Sequence, residues 1–218
     1  MSTRGLIERL KNGECILNAE GYMWEFERRG YLKAGAFIPE VVLEKPELIR
    51  QMHLEFLYMQ AQTLLRRLLE KLRLIGREDD LEKLNRIALK IAREVADETG
   101  TLMAGGICNT GIYVVGDEEA SNKIRAMFKE QVEWAVEEKA DFIIGETFND
   151  LGRACVPAVI TLTPYIPDET TDDVPIPEAF RRLEEAGADV VGINCGRGPR
   201  TMLPLLREIK KVCQVRTQ

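Results

Sequence analysis

The stretch Gly187-Ala-Asp-Val-Val-Gly-Ile-Asn-Cys195 decides the fold. It is a short apolar run closed at both ends by turn residues, which reads as a buried strand. Before it lies a helical pattern opened by Pro177 and stopped by Gly187, with proline inside the start and glycine past the end. After it Gly196-Arg-Gly-Pro-Arg200 leads to a second helical pattern over Thr201–Val212, where Pro204 is tolerated in the first turn. Helix, strand and helix in succession indicate a parallel α/β architecture.

The same alternation runs back through the chain. Asp141-Phe-Ile-Ile-Gly-Glu-Thr-Phe148 and Ala158-Val-Ile-Thr-Leu-Thr163 read as strands, as does Thr101-Leu-Met-Ala-Gly-Gly-Ile-Cys108, entered through the helix stop Gly100. The clearest helix spans Asp117–Lys139, with Asp117 as N-cap and Ile124, Met127, Phe128, Val132 and Val136 as its apolar stripe. Cys15-Ile-Leu-Asn-Ala19 is a first strand candidate. A helical segment follows Pro39, from Glu40 to about Met59, carrying Leu43, Leu48, Met52 and Phe56.

Two places break the pattern. From Gln62 to Glu98 two leucine-rich helical patterns follow one another without a strand. The connector Asn149–Pro157 is shorter than the helix-bearing crossover that parallel neighbours usually need. Five to six strands are recognisable, whereas a closed barrel of this kind has about eight over ~250 residues. The pattern predicts one soluble α/β domain over residues 1–218; that it is an incomplete TIM (β/α)8-type barrel lacking C-terminal strands is what the family resemblance described below implies.

Composition narrows the function. With 218 residues, 45% of them hydrophobic, the chain can bury one sizeable core. A net charge of −6, with basic residues such as Arg86, Lys90 and Arg93 interleaved with Glu82 and Glu94, argues against a nucleic-acid partner. No apolar run approaches the roughly 20 residues of a membrane span. The charged amphipathic start differs from a signal peptide, so the expected location is cytoplasmic. The five cysteines are scattered without a Cys-x-x-Cys pair, which disfavours a disulfide scaffold. Cys15, Cys108 and Cys195 lie in short apolar runs and read as small buried hydrophobes. The one histidine, His53, sits on a helix among apolar residues, as a packed or surface group.

Polar residues at strand ends mark the candidate site. Glu146 closes one strand, Asn194-Cys195 another, and Glu20-Gly21 follows the first. In parallel α/β folds these carboxyl ends converge on the ligand. The plain alternative is that Glu146 pairs with a basic neighbour and Cys195 simply packs. The loop Gly196–Arg200 also suits an anion before a helix, but Gly and Arg are common in any such turn.

Several segments, in order, resemble the homocysteine-binding barrel of the betaine–homocysteine S-methyltransferase family. They are Glu20–Gly35 (Glu-Gly-Tyr-Met-Trp-Glu-Phe-Glu-Arg-Arg-Gly-Tyr-Leu-Lys-Ala-Gly), Arg50-Gln-Met-His-Leu-Glu-Phe-Leu57, Ile91–Glu98, Leu102–Gly106, Asp141–Glu146 and Gly187–Cys195. The resemblance implies an eight-stranded barrel that moves a methyl group from betaine or a related onium donor to homocysteine, giving methionine. It implies a zinc ion on three cysteine thiolates that keeps the substrate sulfur as thiolate, the reactive form. By the same resemblance Cys195 matches the first zinc cysteine and Glu146 the carboxylate on the homocysteine amino group. Glu20 and Gly21 stand where the family has Asp-Gly-Gly, displaced by one position. The other two zinc cysteines have no counterpart here, and the family's second strand is replaced by the stretch from Gln62. Expected partners are homocysteine and a methyl donor, with homo- or hetero-oligomers. The alternative expectation is a non-catalytic derivative, a truncated isoform, decayed copy or incomplete gene model, acting as an interaction protein.

Overall fold

The structure is a computed structural model. It describes residues 5–16, 22–31, 41–56, 59–62, 72, 76–108, 112, 114, 116–146, 158–164, 168–171, 173–214 and 216–217. Eight helices and six strands are described: α1 (Leu6–Lys11), α2 (Tyr22–Arg28), α3 (Val41–Glu44), α4 (Pro46–Phe56), β1 (Met59–Gln62), α5 (Leu81–Thr99), β2 (Met103–Cys108), α6 (Glu118–Glu137), β3 (Phe142–Glu146), β4 (Ala158–Leu162), α7 (Ile176–Glu185), β5 (Val190–Ile193), α8 (Pro199–Val212) and β6 (Arg216–Thr217). The strands form one sheet in sequential order, every neighbouring pair parallel.

Each face of the sheet has its own partners. Met103 and Ile143 pack with Leu89, Ala92, Val95 and Ala96 of α5 and Trp134 and Ala135 of α6. Ile160, Leu162, Val191 and Ile193 pack with Phe180 of α7 and Ile209 of α8, on the same face by register. The alternate residues Ala104, Phe142, Ile144, Val159 and Val190 point the other way and gather around Leu6 of α1. The long helices α5–α8 thus share one face. In a doubly wound sheet the long helices would be shared between both faces. Gly105 lets α6 approach: a Cβ there would lie 2.5 Å from Ala135 Cβ.

Two aspartates pin the register at the amino edge. Asp141 N–H donates to the Met103 carbonyl (2.8 Å), and Met103 N–H donates back to Asp141 Oδ2 (2.7 Å). Asp189 repeats this on Ala158, at 3.0 and 2.9 Å. Both sit in an Ala-Asp pair at the start of a strand, Ala140-Asp141 and Ala188-Asp189. Arg93 of α5 completes the first clamp, donating to Asp141 Oδ2 at 3.0 Å. A one-residue slip would send every side chain of the strand to the opposite face.

The helix from Asp117 starts as the sequence indicates, with Asp117 Oδ1 accepting from Ala120 N–H at 2.9 Å. Gly100 ends α5 in the left-handed region, φ 69°. Other expectations are corrected. The segment from Glu40 to Met59 is not one helix, because it breaks at Lys45-Pro46 into α3 and α4. Met59–Gln62 is a strand, paired with Met103–Gly106, so a strand does precede the leucine-rich region. β3 and β4 are parallel neighbours despite their short connector. An extended chain reaches about 3.3–3.6 Å per residue, so residues 147–157 can return along a strand without a helix. Val136 is exposed, while Gln131, Trp134 and Ala135 are buried instead. The first strand candidate falls mostly outside the described residues, and Cys15 and Ile16 are not in a strand. The leucine-rich stripe from Leu64 to Ile75 also lies outside them, except for buried Leu72.

The aspartate clamps should carry measurable stability. Asp141→Ala strands the buried Met103 N–H and should cost about 1–3 kcal/mol in urea unfolding, whereas Asp189→Ala, exposed, should cost less. Equal or reversed losses would show that the clamps do not set the register.

Candidate functional site

The register aligns the carboxyl ends of four strands. Cys108 pairs with Glu146, Glu146 with Thr161, and Thr161 with Gly192, one continuous row across β2–β5. This row lies on the face that carries Ile144 and Val159, away from α5–α8. Thr161 is buried and its hydroxyl donates to the Gly145 carbonyl at 3.4 Å. Gly192 ends the row on β5 without a side chain on this face, and Gly106, one step below Cys108 on β2, likewise has none. Glu146 is placed by its backbone at the last position of β3; its side chain and that of Cys108 lie outside the described residues, as do Glu20 and Gly21 entirely.

β5 ends in a turn that re-aims the next side chain. Asn194 N–H donates to the Leu162 carbonyl at 3.1 Å, extending the ladder one step. Its Oδ1 accepts from Thr163 Oγ at 3.4 Å, and its Nδ2 donates to Cys195 Sγ at 3.5 Å. Cys195 and Gly196 then both take left-handed backbone, φ 56° and 68°. A Cβ on Gly196 would stand 2.7 Å from Thr163 Cγ2, so a larger residue has no room there. Arg197 ties the turn down by donating from Nε to the Pro164 carbonyl at 2.8 Å. Strand alternation alone would send position 195 among the helices. The left-handed turn leaves it exposed instead. The expectation that Cys195 and Cys15 are buried hydrophobes is therefore corrected, since both are exposed. A left-handed non-glycine residue costs roughly 1–2 kcal/mol, a strain that points to a positional requirement.

Whether this edge suits zinc is a question of donors. Cys195 brings one sulfur, and no group of three or more His, Cys, Asp or Glu is assembled among the described residues. A tetrahedral protein site needs at least three protein ligands, so the described residues do not make one. His53 belongs to no such group among the described residues. It is buried on α4 and burial pushes its imidazole down to about 4.

The helix that follows Glu20-Gly21 is anchored by charge as well as by packing. Phe26 of α2 is 1% exposed, packed with Val41, Val42, Ile49 and Met52. Glu25, also buried, accepts from Arg28 Nε and Arg29 Nε, both at 2.7 Å. Arg29 continues to Glu55 of α4 at 2.6 Å. The Arg28 and Arg29 hydrogen bonds hold the Glu25 carboxyl well below the usual carboxylate range, at about 2.

A six-stranded parallel sheet with its long helices α5–α8 on one face defines an α/β protein. Comparison supplies the family. The family profile described as homocysteine S-methyltransferase matches residues 17–217, and the chain belongs to that family. It is 34% identical to the S-methylmethionine–homocysteine S-methyltransferase BHMT2 of Pongo abelii, over 97% of this chain and 60% of that protein. It is 33% identical to betaine–homocysteine S-methyltransferase 1 of Mus musculus, over 95% of this chain and 55% of that protein. The chain thus spans little more than half the length of these curated relatives. Among solved structures it resembles the homocysteine methyltransferase MmuM of Escherichia coli in its apo form, with a TM-score of 0.65 and 21% identity, covering 89% of this chain and 76% of that one. That likeness bears on the fold.

Sequence reasoning missed Thr161 and Gly192. A threonine inside an apolar run looks like an ordinary strand former, and only the register brings it beside Glu146. The charged anchor was equally hidden, although Glu25 and Arg29 stand at helical i,i+4 spacing.

Glu25 predicts a pH dependence. Its folded pKa is depressed from 4.5 to about 2, so its stabilisation is complete above the ordinary carboxylate range and is lost as pH falls toward 2. The urea midpoint of the wild type should therefore fall more steeply between pH 4.5 and 2 than that of Glu25→Gln. Parallel curves would contradict the charge anchor.

Proposed function

We propose that the protein methylates homocysteine, with betaine or a related onium compound as donor, in a (β/α)8-type barrel whose carboxyl edge is the row of Glu146 and Thr161. The observation that carries this reading is the coincidence of the family match with the register. The glutamate that resemblance assigns to the homocysteine amino group falls at the last position of β3, on the face away from the helices. The sequential strand order and the shared helix face support the barrel.

In this reading each residue has a limited task. The Glu146 carboxylate pairs with the substrate ammonium, a charge-assisted contact in a site shielded by the sheet. Gly106 and Gly192 give the amino-acid end room to approach the row. Glu20 and Gly21 contribute from the loop before α2. Cys195, turned outward at the end of β5, faces the sulfur end. The reaction forms an S–C bond to the methyl carbon and breaks the carbon bond to the onium atom. That bonding pair stays on the donor's nitrogen or sulfur, which loses its positive charge. Because the nucleophile is a thiolate, the sulfur proton must be lost before attack. Relatives whose names specify betaine or S-methylmethionine are similarly close, so the donor reading is an onium methyl in either form.

Isotope-labelled betaine and S-methylmethionine, each offered with homocysteine, test the reading. Labelled methionine is the expected product. Glu146→Gln should weaken homocysteine binding by about 10–100-fold, the value of a charge-assisted hydrogen bond of about 1.5–3 kcal/mol. Unchanged binding in Glu146→Gln would remove Glu146 from the site, and no product with either donor would sink the methyl-transfer reading.

A further inference from the structure

The sheet contains two units of the same plan. In the first, β2, α6 and β3 follow one another; in the second, β4, α7 and β5 do so. After each helix comes a left-handed residue, Lys139 (φ 64°) or Gly187 (φ 101°), and then an Ala-Asp pair. The backbone bonds match as well. Ala140 N–H donates to the Ala135 carbonyl at 2.9 Å, and Ala188 N–H to the Leu183 carbonyl at 3.1 Å. Each aspartate then clamps the first residue of the strand before it, Met103 or Ala158. Counted from the clamp, the fifth residue is Glu146 in the first unit and Asn194 in the second. One unit thus carries a carboxamide where the other carries a carboxylate.

Register decides where Asn194 stands. Val190 packs on the face that carries Ile144 and Val159, and side chains alternate along a strand, so position 194 shares that face. Asn194 N–H donates to the Leu162 carbonyl, which keeps the residue in the ladder beside Thr163. Glu146 is level with Thr161 and Gly192, so Asn194 stands two residues above it and two strands away. By standard spacings the two backbones are ~12 Å apart. That span suits an amino acid held between two side chains, its ammonium toward one and its carboxylate toward the other.

Hydrogen bonding fixes what the half-buried carboxamide offers. Its Oδ1 is engaged by the Thr163 hydroxyl at 3.4 Å, and Nδ2 donates to Cys195 Sγ at 3.5 Å. An amide nitrogen has two N–H groups, and none of the described residues accepts from the second. Asn194 therefore presents a neutral donor at the carboxyl edge. Such a group pairs with an acceptor such as a carboxylate and gains nothing from an ammonium.

We propose that Asn194 is a substrate-binding residue whose carboxamide N–H takes the α-carboxylate of the amino acid, opposite the ammonium partner Glu146. The inference rests on the reading of the row as the homocysteine site.

Three thiols separate the two ends of the substrate: L-homocysteine, 4-mercaptobutanoate, which lacks the ammonium, and 3-aminopropanethiol, which lacks the carboxylate. Each is titrated calorimetrically, the last two also as competitors of homocysteine, into wild type, Asn194→Ala and Asn194→Asp. The aspartate keeps the oxygen beside Thr163 should the alanine variant fold poorly. Asn194→Ala should raise the Kd of homocysteine and of 4-mercaptobutanoate by about tenfold or more, as for a lost hydrogen bond to a charged group. The Kd of 3-aminopropanethiol should stay unchanged. Asn194→Asp should weaken the two carboxylates further, through like-charge repulsion, and spare the amine. All three ligands carry the thiol, so a displaced Cys195 would weaken them equally and cannot mimic this pattern. Equal losses for the three, or wild-type affinity for homocysteine in both variants, would overturn the assignment. If the wild type binds none of the three, the homocysteine reading itself fails, whereas binding without the selective loss removes Asn194 alone.

Discussion

Everything at the candidate site depends on the register of four parallel strands. Asp141 fixes β3 against β2 and Asp189 fixes β5 against β4 from the amino edge, each exchanging two hydrogen bonds with the first residue of the preceding strand. The ladder between β3 and β4 joins the two pairs, and together they determine what the opposite ends of β2–β5 present. Cys108, Glu146, Thr161 and Gly192 must share one row on one face. A slip of one residue would bury Glu146 among the helices, where an unpaired carboxylate costs far more than the clamps contribute.

The edge is shaped by exceptions to regular structure. Strand alternation would hide position 195, and two consecutive left-handed residues expose it. Gly196 is required by the Thr163 methyl, and Arg197 locks the turn against Pro164. Elsewhere, α2 reaches its place through a core phenylalanine and a bridged arginine. Rigid strands thus set the level of the candidate site, while the turn after β5 aims Cys195. Such division is common where a parallel sheet binds a ligand at its carboxyl edge.

The fold was largely legible in the sequence where apolar runs were long and well punctuated. Strands β2–β5 and helices α5–α8 follow from such runs, from Gly100 and Gly187 as stops and Asp117 as a cap. Met59–Gln62 was not legible, because Met-Gln-Ala-Gln has good helix propensity and becomes a strand by pairing with β2. The β3–β4 connection misled for a related reason: a helix is the usual return path, and the short segment suffices geometrically. At the site, Glu146 was visible as a polar residue ending an apolar run. Thr161 was not, since its role comes from a neighbour in space. The exposure of Cys195 turns on a backbone conformation that its residue type does not favour.

On the proposed function, the row through Thr161 and Gly192 is where the amino-acid substrate lies. Backbone amide resonances report on it directly. On titration with L-homocysteine, the largest shifts should fall at residues 145–146, 161–163 and 192–196, with the amino-edge clamps at 103, 141 and 189 little moved. Shifts confined to the amino edge or to the outer faces of α5–α8, with the carboxyl edge silent, would contradict the account.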